Sequence, residues 1–270
     1  VVSDWGRSNS AVDAVKAGGS LEMPSPGFTS VRELVGAVQA GTLSEADLNA
    51  RAAEVAKIAR LTKTEGVGRD DLLKDDIAAA HHAVARHVAE NSSVLLKNSN
   101  GTLPLTAGVN VAVVGDMAKV ARFQGSGSSK VNATREENLL DELTRTEGVN
   151  VAGYAQGYDR QGARNQGLID EAVALAGKAD VVVAVVGLDE RSESEGLDRS
   201  TMAIPQVQND MVDALVATGK PVVIVLIAGS PVELPWYDGV SATVYMGLSG
   251  QAGASATANA LTGKVNPSGH

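Results

Sequence analysis

Three short segments built almost entirely from valine, isoleucine, leucine and alanine constrain the fold of this 270-residue chain most strongly. They are VNVAVVG at Val109–Gly115, VVVAVVG at Val181–Gly187 and VVIVLI at Val222–Ile227. Strands that are apolar at nearly every position need cover on both faces, as in a parallel sheet packed between layers of helices. We therefore predict an α/β sandwich domain with a mostly parallel sheet over residues 77–270.

The segments between these strands carry apolar residues at helical spacing. Further short strands are predicted at 149–154 and 242–246, and helices at 77–97, 136–146, 166–178, 206–218 and 250–261. This alternation of strand and helix over residues 109–261 is typical of a doubly wound, flavodoxin-like sheet.

The first 61 residues are interpreted as about two strand–helix units. VVSDWG at the start is typical of the end of a buried strand, and GGSLEMP at 18–24 predicts a second, short strand. Helices are predicted at 8–17, 31–40 and 44–61, the last two with Ser30 and Ser44 as N-caps. Because a buried strand needs neighbours on both sides, we expect this chain to be a piece of a larger protein. The polar segment 62–76 is the predicted linker.

Composition excludes several classes of partner. The net charge of -9 argues against a nucleic acid or an anionic membrane surface, since both require a basic footprint. No apolar run is long enough to cross a bilayer. With no cysteine and no metal-ligand spacing among its four histidines, the chain is expected to need neither a metal nor another cofactor. Localisation stays open between the cytoplasm and secretion.

Asp4 is the first candidate catalytic residue, because it stands with Trp5 at the carboxyl end of a predicted strand. Enzymes built on parallel strands commonly place their reactive groups at that end. The alternative for Asp4 is a turn or helix-cap aspartate. Trp5 is either a packed core aromatic or a platform for the face of a sugar.

A second group of carboxylates follows the strand at 181–187, in the segment SESEGLDRS at Ser192–Ser200. Open parallel sheets bind their ligands at this edge, and Gly196 allows a tight backbone path beside Glu195. The alternative is a solvated acidic loop capped by Arg199. Glycoside hydrolysis requires two carboxyl groups, one ionised and one protonated, and Asp4 with a glutamate of this loop would supply both.

The chain resembles family 3 of the glycoside hydrolases, bacterial β-glucosidase type. The resemblance rests on an ordered set of motifs that covers nearly the whole sequence: VVSDWG, SLEMP, SVLLKN with TLPL, VAVVGD, QGSGSS, SEGLDR, GSPVELPW and VNPSG. It implies that residues 1–61 are the C-terminal strand–helix units of a (β/α)8 barrel, followed by the α/β sandwich domain.

The resemblance also implies residue roles. Asp4 corresponds to the nucleophile and Glu195 to the acid/base, with Glu193 as the alternative acid/base or a substrate-binding residue and Trp5 as a substrate-binding residue. A retaining mechanism would place the two catalytic carboxyls about 5–5.5 Å apart, at a domain interface, and would require a raised pKa for Glu195.

The chain departs from the family pattern in two respects. Ser20 stands where the family usually has an acidic residue, and the early barrel strands that bind the sugar would lie upstream of residue 1.

QGSGSSK at Gln124–Lys130 superficially suggests a phosphate loop, but it lacks the required spacing. We interpret it as a loop that faces the cleft between domains.

These observations predict a retaining, exo-acting β-glucosidase, present as a C-terminal portion. Its partners would be a β-glucoside or oligosaccharide substrate and the missing N-terminal barrel segment or a companion chain. The alternatives are a β-xylosidase or α-arabinofuranosidase of the same family, or a non-catalytic α/β binding module.

Overall fold

A computed structural model describes residues 1–63 and 74–269. The chain divides into two compact units, residues 1–72 and 73–270, and each is described by itself. The predicted linker 62–76 lies mostly outside the described residues, which omit 64–73.

The described residues of the first unit, 1–63, form three helices and two extended segments. The helices are α1 (Ala11–Lys16), α2 (Thr29–Gln39) and α3 (Glu45–Leu61). Ser44 caps α3 as predicted, because its side chain accepts a hydrogen bond from the backbone of Asp47. The predicted cap of α2 is wrong, since the helix already begins at Thr29 and Ser30 lies inside its first turn.

The two extended segments of this unit run parallel to each other. Val2 and Leu21 form a parallel bridge, and the Ser3 amide donates to the Leu21 carbonyl at 3.0 Å. The Gly6 amide donates to the Met23 carbonyl, also at 3.0 Å. The strand predicted at 18–24 is therefore present as a single bridge rather than as a full strand.

Ser20 has a local role within this unit. Its hydroxyl donates to the carboxylate of Glu54 on α3, and Arg51 lies 3.1 Å from the same carboxylate. The hydrogen bond from Ser20, aided by Arg51, lowers the pKa of Glu54 against a smaller opposing effect of burial. An acidic residue at position 20 would face Glu54 with a like charge, so serine suits this position.

The second unit alternates strands and helices along the chain. In order, its elements are α4 (Asp75–Ser92), β1 (Val94–Asn98), β2 (Val109–Val114), α5 (Asp116–Lys119), α6 (Leu139–Arg145), β3 (Val149–Ala155), α7 (Gln166–Ala176), β4 (Val181–Gly187), α8 (Gln206–Ala217), β5 (Val222–Ile227), β6 (Ala242–Tyr245) and α9 (Gly253–Leu261). No helix in the described part of the chain is long and apolar enough to cross a membrane.

The sheet has six strands in the order β1-β6-β5-β4-β2-β3. Five strands are parallel, and β1 joins one edge antiparallel to β6. This confirms the mostly parallel sheet. The helix predicted at 77–97 is too long, since α4 ends at Ser92 and residues 94–98 form β1. Periodicity alone does not distinguish a short apolar strand from the end of a helix, and pairing with β6 decides the outcome here.

Each face of the sheet packs against its own layer of helices. On one face Val182, Ala184 and Val186 of β4 pack with residues of α7 and α8. On the other face Val183 and Val185 pack with residues of α4, α6 and α9. Because both faces of β4 are covered, every position of this strand is apolar, which is the pattern that the sequence shows.

The turn after β2 requires glycine, and this predicts a large cost for Gly115→Ala. Gly115 has φ +113°, and a methyl group there would overlap the Val185 carbonyl on the adjacent strand. We expect the free energy of unfolding to fall by about 3 kcal/mol, from backbone strain plus steric overlap. Urea denaturation of the chain measures this loss. The matched control is Gly219→Ala, where φ is +73° and nothing lies within 4 Å, with an expected loss of about 1 kcal/mol. Equal losses in the two variants would contradict the steric argument.

Candidate active site

The direction of winding of the sheet reverses between β2 and β4. From β2 the chain passes to β3 on one side, and then returns to β4 on the other side before it continues outward through β5 and β6. Ligands of open α/β sheets bind outside the carboxyl ends of the strands at such a switch point. The two loops that leave β2 and β4 at this edge contain residues 124–131, here called the serine loop, and 188–200, here called the acidic loop.

These two loops are joined by backbone pairing. Ser126 and Ser194 form a parallel bridge, and the Glu195 amide donates to the Ser126 carbonyl at 3.1 Å. The side chain of Gln124 closes the base of the serine loop by two hydrogen bonds of 3.0 Å with the backbone of Val131. Gly196 has φ +78°, which bears out the prediction that glycine permits the backbone path beside Glu195.

Glu195 is exposed to solvent and its carboxylate contacts the serine loop. The backbone amide of Ser128 donates to Oε2 at 2.6 Å, and the hydroxyl of Ser128 donates to the same oxygen. These two bonds, the hydroxyl first, lower the pKa of Glu195, and burial opposes them only weakly. The retaining mechanism led us to expect a raised pKa for Glu195, whereas the structure lowers it. The reason is that two donors stabilise the ionised form of an exposed carboxyl.

Glu193 occupies a different environment two residues earlier. The Gly229 amide donates to both of its carboxylate oxygens at 2.9 and 3.0 Å, and the Ser230 hydroxyl donates to Oε1 at 2.7 Å. The buried guanidinium of Arg122 lies 3.9 Å from Oε2. These contacts connect the acidic loop to the segment that follows β5, so Glu193 is an anchor of that loop.

Arg199 does not cap the acidic side chains of its loop. Its guanidinium donates to the Ser230 hydroxyl at 3.1 Å and to the Pro231 carbonyl at 2.8 Å. The alternative interpretation of this segment, a solvated acidic loop capped by Arg199, is therefore wrong about the role of Arg199. Both Arg199 and Glu193 hold the acidic loop against residues 229–231, and Glu195 remains at the surface between these fixed points.

Asp4 and Trp5 belong to the first unit. Asp4 follows the bridge between Val2 and Leu21 and is exposed, and its Oδ1 accepts a hydrogen bond of 2.8 Å from the Trp5 amide. Trp5 is 63% exposed, so in this unit it is not a packed core aromatic. The role of Asp4 and its distance from Glu195 stay predictions, as does a sugar-binding role for Trp5.

Residue type and position along the chain did not reveal the partners of the two glutamates. Ser128 lies 67 residues before Glu195, and Ser230 lies 37 residues after Glu193. The cluster of glycine and serine at 124–129 was a signal that the backbone approaches another group closely, although the spacing did not say which group. Within residues 1–63 and 74–269, no cluster of three or more His, Cys, Asp or Glu could hold a metal ion.

The second unit is thus a flavodoxin-like α/β domain that presents carboxylates on a fixed loop at its switch point. The family model for the glycosyl hydrolase family 3 C-terminal domain matches residues 93–270. The chain is 40% identical over 275 residues to the thermostable beta-glucosidase B of Acetivibrio thermocellus, covering 100% of this chain and 35% of that protein. The chain belongs to glycoside hydrolase family 3.

Two further comparisons agree with this membership. The exo-alpha-(1->6)-L-arabinopyranosidase of Bifidobacterium breve is 36% identical over 281 residues, covering 100% of this chain and 36% of that protein. The crystal structure of the GH3 beta-glucosidase of Bifidobacterium adolescentis superposes with a TM-score of 0.84 at 36% identity, covering 98% of this chain and 38% of that one. The chain therefore spans little more than a third of the length of these relatives.

Proposed function

We propose that this chain is the C-terminal portion of a retaining, exo-acting β-glucosidase, in which Asp4 is the nucleophile and Glu195 the acid/base. The observation that carries the proposal is the position of Glu195, an exposed carboxylate on a fixed loop at the switch point of a family 3 domain. The similarity to a thermostable beta-glucosidase over the whole of this chain supports the choice of substrate.

Glu195 is preferred to Glu193 as the acid/base because of their different contacts. A general acid must carry a proton in one step and accept it back in the next, and it must reach the substrate. Both oxygens of Glu193 already accept hydrogen bonds from Gly229, and Arg122 lies beside them. Within the described part of the chain, the carboxylate of Glu195 accepts hydrogen bonds on Oε2 only, and both come from Ser128.

The proposed reaction has two steps. Asp4 attacks the anomeric carbon and forms a glycosyl ester while protonated Glu195 transfers its proton to the departing oxygen. Glu195, now ionised, then takes a proton from a water molecule, and the oxygen of that water displaces Asp4 from the anomeric carbon. The configuration at the anomeric carbon is inverted twice and is thereby retained.

The proposed function includes a further segment of barrel. The chain spans 35% of the length of its β-glucosidase relative, and a complete (β/α)8 barrel is typically about 250 residues long. We propose that the residues corresponding to the uncovered part of that relative, in the same polypeptide or in a companion chain, supply most of the sugar pocket. Without them this chain is expected to hydrolyse aryl β-glucosides weakly or not at all.

Activity tests the proposal once that segment is supplied. The chain, joined to or co-expressed with the segment, is assayed on nitrophenyl β-glucoside, β-xyloside, α-arabinofuranoside and α-arabinopyranoside. The highest kcat/KM is expected on the β-glucoside. A preference for a pentoside would show that the substrate is not a β-glucoside, with the same two carboxylates as the proposed catalytic residues. No hydrolysis of any glycoside by a folded complex would favour the non-catalytic binding module.

Glu195→Gln is expected to slow reactions according to their leaving group. On cellobiose, whose leaving sugar needs a proton, kcat/KM should fall by about 10²–10⁴-fold. On 2,4-dinitrophenyl β-glucoside, whose leaving group departs as a stable anion, the loss in kcat/KM should be much smaller. The matched variant Glu193→Gln alters the loop anchor and should affect the two substrates to the same extent. If Glu193→Gln instead showed the dependence on the leaving group and Glu195→Gln did not, Glu193 would be the acid/base.

A further inference from the structure

The serine loop has the geometry of a support for one carboxylate. Both donors of Ser128, its backbone amide and its hydroxyl, meet the same oxygen of Glu195, Oε2. Oε1 lies outside this pair of bonds. One residue of the loop thus fixes both the position of the Glu195 carboxyl and the oxygen by which it is held.

Gly127 makes this close approach possible. Its φ is +103°, and a Cβ atom at this position would lie 2.5 Å from the Cβ of Glu195 and 2.8 Å from its Oε2. Both distances are shorter than van der Waals contact, so any other residue would displace the carboxylate or the loop. The amide of Lys130 donates to the Gly127 carbonyl at 3.2 Å, which closes the turn around Ser128.

We propose that Ser128, presented by Gly127, is a positioning residue that holds Oε2 of Glu195 and leaves Oε1 for the proton exchanged with the substrate. The catalytic part of this inference rests on the proposed function, in which Glu195 is the acid/base. The serine loop is then a support for the acid/base rather than a phosphate loop.

The charged side chains on the two loops are not the cause of the lowered pKa of Glu195. They are Lys130 on the serine loop and Glu190, Arg191, Glu193, Asp198 and Arg199, with the buried Asp189, on the acidic loop. The lowered pKa of Glu195 is caused by Ser128, through its side chain first and its backbone amide second. Removal of the hydroxyl therefore acts on protonation as well as on position.

Titration of Glu195 in this chain tests the contact without any need for activity. The carboxyl carbon is followed by NMR against pH and assigned by its loss in Glu195→Gln. The midpoint is expected below the ordinary value of a glutamate in the wild type and higher than that of the wild type in Ser128→Ala. Ser128→Thr, which keeps a hydroxyl, should restore most of the shift, and Ser129→Ala should leave the midpoint unchanged. An unchanged midpoint in Ser128→Ala would overturn the proposal.

The pH profile of the active enzyme tests the role in the reaction. In the assembled β-glucosidase, Ser128→Ala should move the basic limb of kcat/KM to higher pH by about the shift seen in the titration, because that limb reports the free enzyme's acid. A limb that stays in place in an active enzyme would refute the positioning role and leave the proposed function intact. A wild-type complex with no glycosidase activity would refute the proposed function itself, and with it the catalytic part of this inference.

Discussion

Replacement of Asp4 by asparagine is expected to abolish β-glucosidase activity in the enzyme assembled with its upstream segment. Asparagine has nearly the same shape but a neutral and weakly nucleophilic amide, so no glycosyl ester can form. The loss in kcat should be about 10⁴-fold or more, the scale found when other enzymes lose a central catalytic group. It should be equally severe on 2,4-dinitrophenyl β-glucoside, since a good leaving group does not replace a nucleophile. Steady-state kinetics on both glucosides measure the effect.

The control for this variant is Asp13→Asn, which changes another exposed aspartate of the same unit, on α1. Its activity should match the wild type. The competing interpretation of Asp4 is a turn aspartate, since its Oδ1 accepts the amide of Trp5. Asparagine can accept the same hydrogen bond, so a purely local role predicts full activity in Asp4→Asn. That result would remove Asp4 from the mechanism.

The second large effect is expected for stability, from Glu137→Gln. Glu137 is buried before α6, where its Oε1 accepts a 2.7 Å hydrogen bond from His82 of α4. Its Oε2 accepts a 3.0 Å bond from the Ser255 amide in the first turn of α9, and Arg135 lies 3.4 Å from Oε1. The amide of Gln251 is 2.9 Å from the other ring nitrogen of His82. One carboxylate therefore connects α4 to the start of α9.

Glutamine cannot reproduce these contacts, because its NH₂ group would face a donor where the carboxylate had an acceptor. We expect the free energy of unfolding to fall by about 3 kcal/mol, the usual order for the loss of one partner from a buried polar or ionic pair. Urea denaturation at pH 7 measures the effect. Glu136→Gln, at the exposed neighbouring position, should change it by less than about 0.5 kcal/mol. A similar small effect in Glu137→Gln would show that the cluster adds little to stability.

The difference in the free energy of unfolding between the wild type and Glu137→Gln is expected to depend on pH. Burial alone would raise the pKa of Glu137, but hydrogen bonds from Ser255 and His82 outweigh it and lower the pKa below the ordinary value of 4.5. A carboxyl with a lowered pKa in the folded state stabilises the fold above its unfolded pKa, and this contribution is lost as the pH falls through the folded value. The stability difference between wild type and Glu137→Gln should therefore be full at pH 7 and shrink below about pH 4.5. A difference that stays constant to pH 3 would contradict this account.

The central strands could be predicted closely from the sequence. The segments 181–187 and 222–227 are strands with the predicted bounds, because a strand buried on both faces leaves an uninterrupted apolar run. The edge strand β1 was missed and assigned to the preceding helix. An edge strand carries a weaker pattern, with Leu96 42% exposed, and only its pairing with β6 identifies it.

The candidate site was predicted in part. The acidic loop was identified from its residue types and from its position after β4, and the structure places it at the switch point. The different environments of Glu193 and Glu195 could not be predicted. They depend on Gly229, Ser230 and Ser128, which come from other loops and are brought near by the order of the strands.

The sequence by itself determined the α/β class, the bounds of the central buried strands and the acidic loop that follows β4, because these depend on local periodicity and residue type. The tertiary structure alone decided which glutamate is an anchor and which is held by Ser128. The roles of the two glutamates depend on hydrogen-bond donors that are distant along the chain, because the donors around a carboxylate fix its position and shift its pKa.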